Sequence, residues 1–241
     1  MDWETWRPKY ESIVERLDID SEMDRCSAEV LHDILEKTDP SELERQISGN
    51  ECVIFGAGPS LEEDLERMSR VGWLDKVLVS ADGATSAVME YEIPTVIVTD
   101  LDGELADQIE AWRRGAWMVV HAHGDNLEEV RRVVPKLEER VLGTIQVDKP
   151  GQLPNFGGFT DGDRAAFMLH ELGASRIYLA GMDLGAEIGK YSGRTERGSK
   201  LIKLEICRDL LSWLADEFEA ELVNVTAGGE EIPGVPRGEI S

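Results

Sequence analysis

An apolar run ends in two carboxylates and a glycine at Ile93-Pro-Thr-Val-Ile-Val-Thr-Asp100-Leu-Asp102-Gly103. Side chains alternate along extended backbone, so Asp100 and Asp102 are expected on one side of a strand end, a few ångströms apart. Carboxylates that close repel unless they share a proton or a cation, and oxygen ligands favour a hard ion such as Mg2+. Asp82, in Ser80-Ala-Asp82-Gly83 at the exit of another apolar run, is read either as a further ligand or as the partner of a ribose hydroxyl. Gly56-Ala57-Gly58-Pro59-Ser60 follows Val53-Ile-Phe and opens a helix with Glu62, Glu63 and Asp64 in its first turn. Such a turn is expected to offer free backbone amides to a phosphate. Leu61 stands where a full GxGxxG dinucleotide fingerprint needs its last glycine.

Later segments add polar and basic groups. Asn155-Phe156-Gly-Gly-Phe159-Thr160-Asp161-Gly-Asp163-Arg164 is a glycine-rich loop feeding a helix, with two aromatics that could frame a flat heterocycle; a cap at Thr160 or Asp161 explains part of it. Arg194, Arg197, Lys200 and Lys203 form a basic cluster in an acidic chain, and Lys200 and Lys203 share a helix face at i, i+3. A solvated helix face is the plain reading of any one of these lysines, and a phosphate clamp the functional one. His121-Ala-His123 lacks a third nitrogen or sulfur ligand at matching spacing, so zinc is not indicated.

These groups need a scaffold that delivers strand ends to one edge. Strand patterns fall at residues 52–55, 76–80, 95–99, 117–121, 141–147, 176–180 and 221–225, with amphipathic helices at 61–71, 104–114, 127–140, 161–172 and 200–218 between most of them. Strands alternating with helices in this way predict an α/β, Rossmann-like, doubly wound and mostly parallel sheet. Residues 1–48 carry only helical periodicity, from Trp3, Trp6, Tyr10, Ile13, Val14 and Leu17 and then from Val30 to Leu35 behind a possible cap at Ser27. That segment is expected to pack on the α/β domain of residues 49–225 or on a second subunit of a homo-oligomer. Residues 226–241 form a Gly/Pro-rich tail.

Of 241 residues, 41% are hydrophobic, which is ample for a core, and 49 acids against 25 bases leave a formal charge of −24. That excess argues against nucleic acid and anionic lipid as partners and requires metal and local bases around any polyphosphate. With no signal core and no run of 18 apolar residues, a cytoplasmic location is expected. Cys26, Cys52 and Cys207 are isolated and are read as small buried hydrophobes.

Taken together, Gly56-Ala-Gly-Pro-Ser-Leu61, Ser80-Ala-Asp82-Gly83, Thr99-Asp100-Leu-Asp102-Gly103, His121-Ala-His-Gly-Asp125-Asn126, Gly157-Gly-Phe-Thr-Asp161-Gly-Asp163-Arg164 and Ala180-Gly181-Met-Asp183 resemble, in order, the archaeal 6-hydroxymethyl-7,8-dihydropterin pyrophosphokinase family. More distantly, Ala81-Asp82-Gly83 and Thr99-Asp100-Leu-Asp102-Gly103 resemble the acidic signatures of thiamin pyrophosphokinases, whose later DxDxTD segment is matched only at Thr160-Asp161. The resemblance implies transfer of diphosphate from ATP to a reduced pterin with Mg2+, giving AMP. It implies a metal on Asp82, Asp100 and Asp102, with Asp82 and Asp161 as candidates to take the hydroxyl proton. With that activity, Gly56 to Ser60, Lys200 and Lys203 are the expected phosphate contacts, and Asn155, Phe156, Phe159, Thr160 and Asp183 the expected pterin contacts. An NAD-linked oxidoreductase using Gly56, Gly58 and Asp82, a non-catalytic nucleotide sensor and a sugar-nucleotide transferase are the rival readings.

Overall fold

The computed structural model describes residues 1–35, 39–148, 151–193 and 197–240, with the side chain of Arg197 also left aside. Among these residues the strands β1 (Glu51–Phe55), β2 (Val77–Ala81), β3 (Val96–Thr99), β4 (Trp117–His121), β5 (Val141–Thr144), β6 (Arg176–Ala180) and β7 (Leu222–Asn224) form one sheet. Its order is β5-β4-β3-β2-β1-β6-β7, and every pairing is parallel. The chain steps outward from β1 to β5 and then returns to the other side of β1, which gives a doubly wound, Rossmann-like fold. The direction of winding reverses between β1 and β6, and ligands of such sheets bind beyond the carboxyl ends of the strands near that reversal.

Alternation along the strands fills both faces. Cys52 and Ile54 join the larger core, while Val53 and Phe55 join the smaller one. Helices α4 (Leu61–Val71) and α5 (Ala84–Val88) cover the smaller side through Leu61, Leu65, Met68, Ala84, Ala87 and Val88, and α6 (Leu105–Arg113) follows β3. Helices α8 (Asp161–Glu171) and α9 (Arg197–Glu217) cover the larger side, joined by the N-terminal helices α1 (Trp3–Leu17), α2 (Ser21–Ile34) and α3 (Ser41–Ile47), which bury Trp6, Leu31, Leu43 and Ile47 completely. Fully buried, mostly apolar strands such as β3 and β4 follow from cover on both faces.

Besides shifts of one to three residues at other ends, three differences from the sequence reading have a local cause. The cap of α2 is Asp20, whose carboxylate accepts from the amides of Glu22 and Met23; Ser27 lies inside the helix, buried. The helix expected over 127–140 is α7 (Leu127–Val133) with a 3-10 turn at Val134–Lys136, because Pro135 has no N–H to continue the ladder. Strand β5 stops at Thr144, after which the Ile145 amide donates to Pro154 instead of to a neighbouring strand. In the C-terminal segment, Ile232 and Val235 are buried, and Arg237 donates to the carbonyls of Thr226, Gly228 and Gly229. No helix among the described residues is long and apolar enough to cross a membrane.

Candidate active site

The exits of β1 to β6 converge on one cleft. Its walls include Gly56 to Pro59 after β1, Asp82 and Gly83 after β2, Asp100 and Asp102 after β3, His121 and His123 after β4, Gln146 after β5 and Gly181 to Leu184 after β6. Phe159, Thr160 and Asp161 enter at the start of α8, and Lys200, Lys203, Leu204 and Cys207 come from α9.

The acidic floor is built by backbone geometry rather than by strand alternation, which is a correction to the expected route. Strand β3 ends at Thr99, whose hydroxyl oxygen accepts the Leu101 amide at 2.8 Å, and Leu101 takes a left-handed conformation with φ 71°. The turn folds Asp102 back so that its amide donates to Asp100 Oδ1 at 3.3 Å. Asp82 is also left-handed, with φ 41°, an uncommon state for a non-glycine residue. Its Oδ1 accepts from the Thr99 hydroxyl at 2.6 Å, Gln108 Nε2 at 2.9 Å and the Gly103 amide at 3.3 Å. One carboxylate oxygen each from Asp82, Asp100 and Asp161 lie within 4.8 Å of one another. The third member of that set is Asp161, from the N-terminus of α8; Asp102, the expected third ligand, lies beside it, with its amide on Asp100 and its charge interacting with Asp82 and Asp100. Oxygen donors in this density suit a hard divalent cation.

Desolvation, and after it the crowding of like charges, governs the titration of the floor. Asp102 is exposed at the rim, yet desolvation by the cleft walls and then the charges of Asp100 and Asp82 push it up to about 8. Burial, followed by Asp100 and Asp82, pushes Asp161 well above the usual carboxylate range, and burial with the Asp100 charge raises Asp82. Burial also opposes ionisation of Asp100, but hydrogen bonds from His123 and Asp102 outweigh it and hold Asp100 at about 2. Nε2 of His123 reaches Asp100 Oδ2 at 3.3 Å while its Nδ1 accepts the Asp125 amide, which fixes Nε2 as the protonated nitrogen. Beneath the acids lies the Arg164 guanidinium, fully buried, donating to the Phe159 carbonyl at 3.0 Å.

The glycine turn differs from expectation in one respect. The amides of Gly56, Gly58 and Ser60 already donate to Ala180 O, Gly181 O and Asp183 Oδ2 respectively, so they are not free for a phosphate. A Cβ at Gly58 would fall on the Asp183 carboxylate, and this close approach of two strand exits is what requires glycine. The Ser60 hydroxyl is likewise committed to Asp183, at 2.8 Å, and Ser60 does not line the cleft. Asp183 does line it, but spends its carboxylate on Ser60.

The glycine-rich loop divides. Phe159 and Thr160 face the cleft, whereas Phe156 packs into the larger core and Asn155 braces the loop, accepting from Gly157 N and donating to Val147 O. Left-handed Gly157 and Gly158, at φ 86° and 82°, turn the chain so tightly that Phe156 points away from Phe159's side. Asp163 caps α8 by accepting the amides of Phe159 and Thr160, at 2.6 and 2.8 Å. Lys200 and Lys203 both reach the cleft wall, and Lys203 Nζ sits 6.0 Å from the Phe159 ring centroid. Arg194 lies outside the described residues. Sequence reasoning missed Gln108 and Gln146, because a single glutamine carries no spacing signal, and it left His121 and His123 without a role.

The family model described as 6-hydroxymethylpterin diphosphokinase MptE-like matches residues 26–189. A protein of Pyrococcus furiosus named 6-hydroxymethyl-7,8-dihydropterin pyrophosphokinase is 44% identical, over 92% of this chain and 98% of its own. Proteins of the same name from Methanothermobacter thermautotrophicus and Methanocaldococcus jannaschii are 42% and 38% identical, over 89% and 92% of this chain and 95% and 100% of theirs. Among solved structures, the MAf glycosyltransferase of Magnetospirillum magneticum AMB-1 is similar in fold, with a TM-score of 0.54 and 18% identity over 87% of this chain and 38% of that one. The agreement of the family match with three relatives along nearly the whole chain carries the conclusion that this chain belongs to the 6-hydroxymethylpterin diphosphokinase MptE-like family.

Proposed function

We infer that the chain transfers a diphosphate group from ATP to the hydroxymethyl group of 6-hydroxymethyl-7,8-dihydropterin, giving AMP and the pterin diphosphate. The observation that carries this reading is the trio of carboxylate oxygens from Asp82, Asp100 and Asp161, within 4.8 Å of one another, in a cleft that also presents the Phe159 ring, Lys200, Lys203 and the glycine turn. These three residues would hold Mg2+, with Asp102 beside them. The ion supplies neutralisation of phosphate charge when bound.

The protein's own part is positioning. His123 and the Asp102 amide orient Asp100, while Thr99, Gln108 and Gly103 orient Asp82. Lys200 and Lys203 add positive charge for phosphate oxygens, and Gly56 to Pro59 supply a close-fitting wall for the rest of the nucleotide. Phe159 offers its ring to the pterin. The pterin oxygen attacks the β-phosphorus, the bond to the AMP oxygen breaks, and the hydroxyl proton leaves to a carboxylate. Asp82 already spends one oxygen on three donors, so we assign that proton to Asp161. Most of the rate enhancement then comes from alignment and charge stabilisation.

Incubation with ATP, Mg2+ and the pterin should yield AMP and pterin diphosphate in equal amounts, read by chromatography of the nucleotides. Stoichiometric ADP would overturn the assignment, and release of AMP without pterin would make the chain a hydrolase.

A further inference from the structure

Two buried acceptors in the cleft have no protein donor. At the end of β4, His121 is 3% exposed, and its Nδ1 lies 3.1 Å from the carbonyl oxygen of Thr144. A carbonyl only accepts, so Nδ1 carries the hydrogen and Nε2 presents a lone pair. That Nε2 has no hydrogen-bond partner in the protein. Beyond β5, Gln146 is 2% exposed and donates through Nε2 to Asp24 Oδ2 at 2.8 Å, which leaves Oε1 as an acceptor. Oε1 also lacks a protein partner. The orientation of Gln146 is not free to reverse, because Asp24 is an acceptor that already takes the Tyr10 hydroxyl at 2.7 Å and the Gly124 amide at 2.7 Å. The Gln146 side chain lies within hydrogen-bonding range of the His121 ring, but with Nδ1–H given to Thr144 and the amide N–H to Asp24 the two remaining atoms are both acceptors and do not satisfy each other; both residues line the cleft.

Unsatisfied buried polar atoms cost stability, so two such acceptors side by side mark a place built for a ligand with two adjacent donors. A phosphate, which has acceptors of its own, does not meet that need. The sheet order adds a positional argument. β4 and β5 lie on the far side of the Asp82 and Asp100 strands from the glycine turn of β1, so this corner is the end of the cleft away from the proposed nucleotide wall. Phe159, Leu204 and Cys207, also in the cleft lining, give the cleft apolar surface suited to a flat ring.

We propose that His121 Nε2 and Gln146 Oε1 accept the hydrogen bonds of the pterin's 2-amino and N3–H edge and so select the aminopyrimidine ring. This rests on the pterin reading given above and deepens it. The ring then enters with its pyrimidine edge toward β4 and β5 and its hydroxymethyl arm toward the acids. Neutral acceptors replace the carboxylate that such an edge could otherwise use, which avoids adding another negative charge beside four aspartates. The N-terminal helices are part of the device, since Tyr10 and Asp24 hold Gln146 in the accepting orientation and Trp6 Nε1 donates to its carbonyl at 2.9 Å.

The test compares 6-hydroxymethyl-7,8-dihydropterin with its 2-oxo analogue, in which the 2-amino donor becomes a carbonyl, by calorimetric titration of the native full chain without nucleotide. The native protein should prefer the pterin by roughly 10- to 100-fold, the cost of one mispaired buried group. In Gln146→Met and His121→Phe the pterin should weaken by a similar factor, while binding of the analogue changes little, so discrimination collapses. Equal affinity of the native protein for the two rings would overturn the proposal without needing any variant to fold. Uniform weakening of both ligands with discrimination retained would also overturn it, because a merely structural role moves both alike. Either result alongside pterin-dependent AMP formation would leave the function standing, whereas absence of pterin binding and of AMP would remove both.

Discussion

At the residue scale, the acid cluster holds like charges close together, a repulsion that a bound cation would relieve. Asp161 is partly exposed beside Asp82, Asp100 and Asp102, and desolvation, followed by repulsion from Asp100 and Asp82, raises its proton affinity, with Arg164 as the buried counter-charge. Replacing a charge with its isostere removes that repulsion without creating a cavity. Asp161→Asn should therefore raise the thermal midpoint in EDTA by a few degrees, since 1 kcal/mol is worth roughly 2–4 °C in a chain of this size. The same variant should lose activity by about 100-fold or more. Mg2+ should raise the midpoint of the native chain and move that of the variant much less, a ligand-linkage effect readable by differential scanning calorimetry. A destabilised variant with full activity would take Asp161 out of the set.

At the element scale, Asp64 in the first turn of α4 joins three segments. Its Oδ2 accepts the Gly181 amide and its Oδ1 the Ala227 amide, both at 2.9 Å, which ties the β1–α4 corner to the exits of β6 and β7. Burial pushes the carboxyl up to about 6 despite those bonds. A group whose folded pKa is raised contributes stability that is present below its ordinary value, here 3.8, and is lost as pH rises through about 6. Asn cannot accept at both oxygens, so Asp64→Asn should cost about 1–3 kcal/mol. Urea midpoints should show that gap largest near the acid end and narrowing from below pH 4 to above pH 6; a gap that widens with pH would reverse the sign of the shift. The glycine turn illustrates the same scale. Its sequence resembles a phosphate cradle, yet three of its amides are consumed in pinning the neighbouring β6 exit.

At the scale of the whole molecule, the helices of the first 48 residues and the sheet share one core. Trp6 is completely buried and hydrogen-bonded to Gln146, Tyr10 and Asp24 form a buried pair, and Leu31, Leu43 and Ile47 are fully enclosed. Losing a single large aromatic from such a core costs about 3–5 kcal/mol, a large part of the stability of an ordinary domain. Residues 49–241 expressed alone should fail to give a cooperative thermal transition, and near-UV circular dichroism should show no fixed aromatic environment. A truncated chain that folds and binds the pterin as the native one does would separate the helices from the site.

Much of this was legible in one dimension. Periodicities of two and of 3.6 record which faces are buried, so the strand-helix alternation led to the all-parallel doubly wound sheet, and the abrupt ends of the apolar runs located Asp82, Asp100 and the glycine turn at one edge. Six short motifs in order carried the family. What periodicity does not record is which groups meet across the fold. Asp161 reaches the Asp82 and Asp100 carboxylates because α8 starts at the same sheet edge, Phe156 turns into the core because two left-handed glycines intervene before Phe159, and the amides of Gly56, Gly58 and Ser60 are satisfied by a strand more than a hundred residues later. His121 and Gln146 become a pair of acceptors only when β4 and β5 lie side by side and Asp24, from a helix near the N-terminus, takes the other end of the amide. Hydrogen bonding and charge crowding act over a few ångströms of space rather than of sequence, and only the tertiary structure decides which neighbours those are.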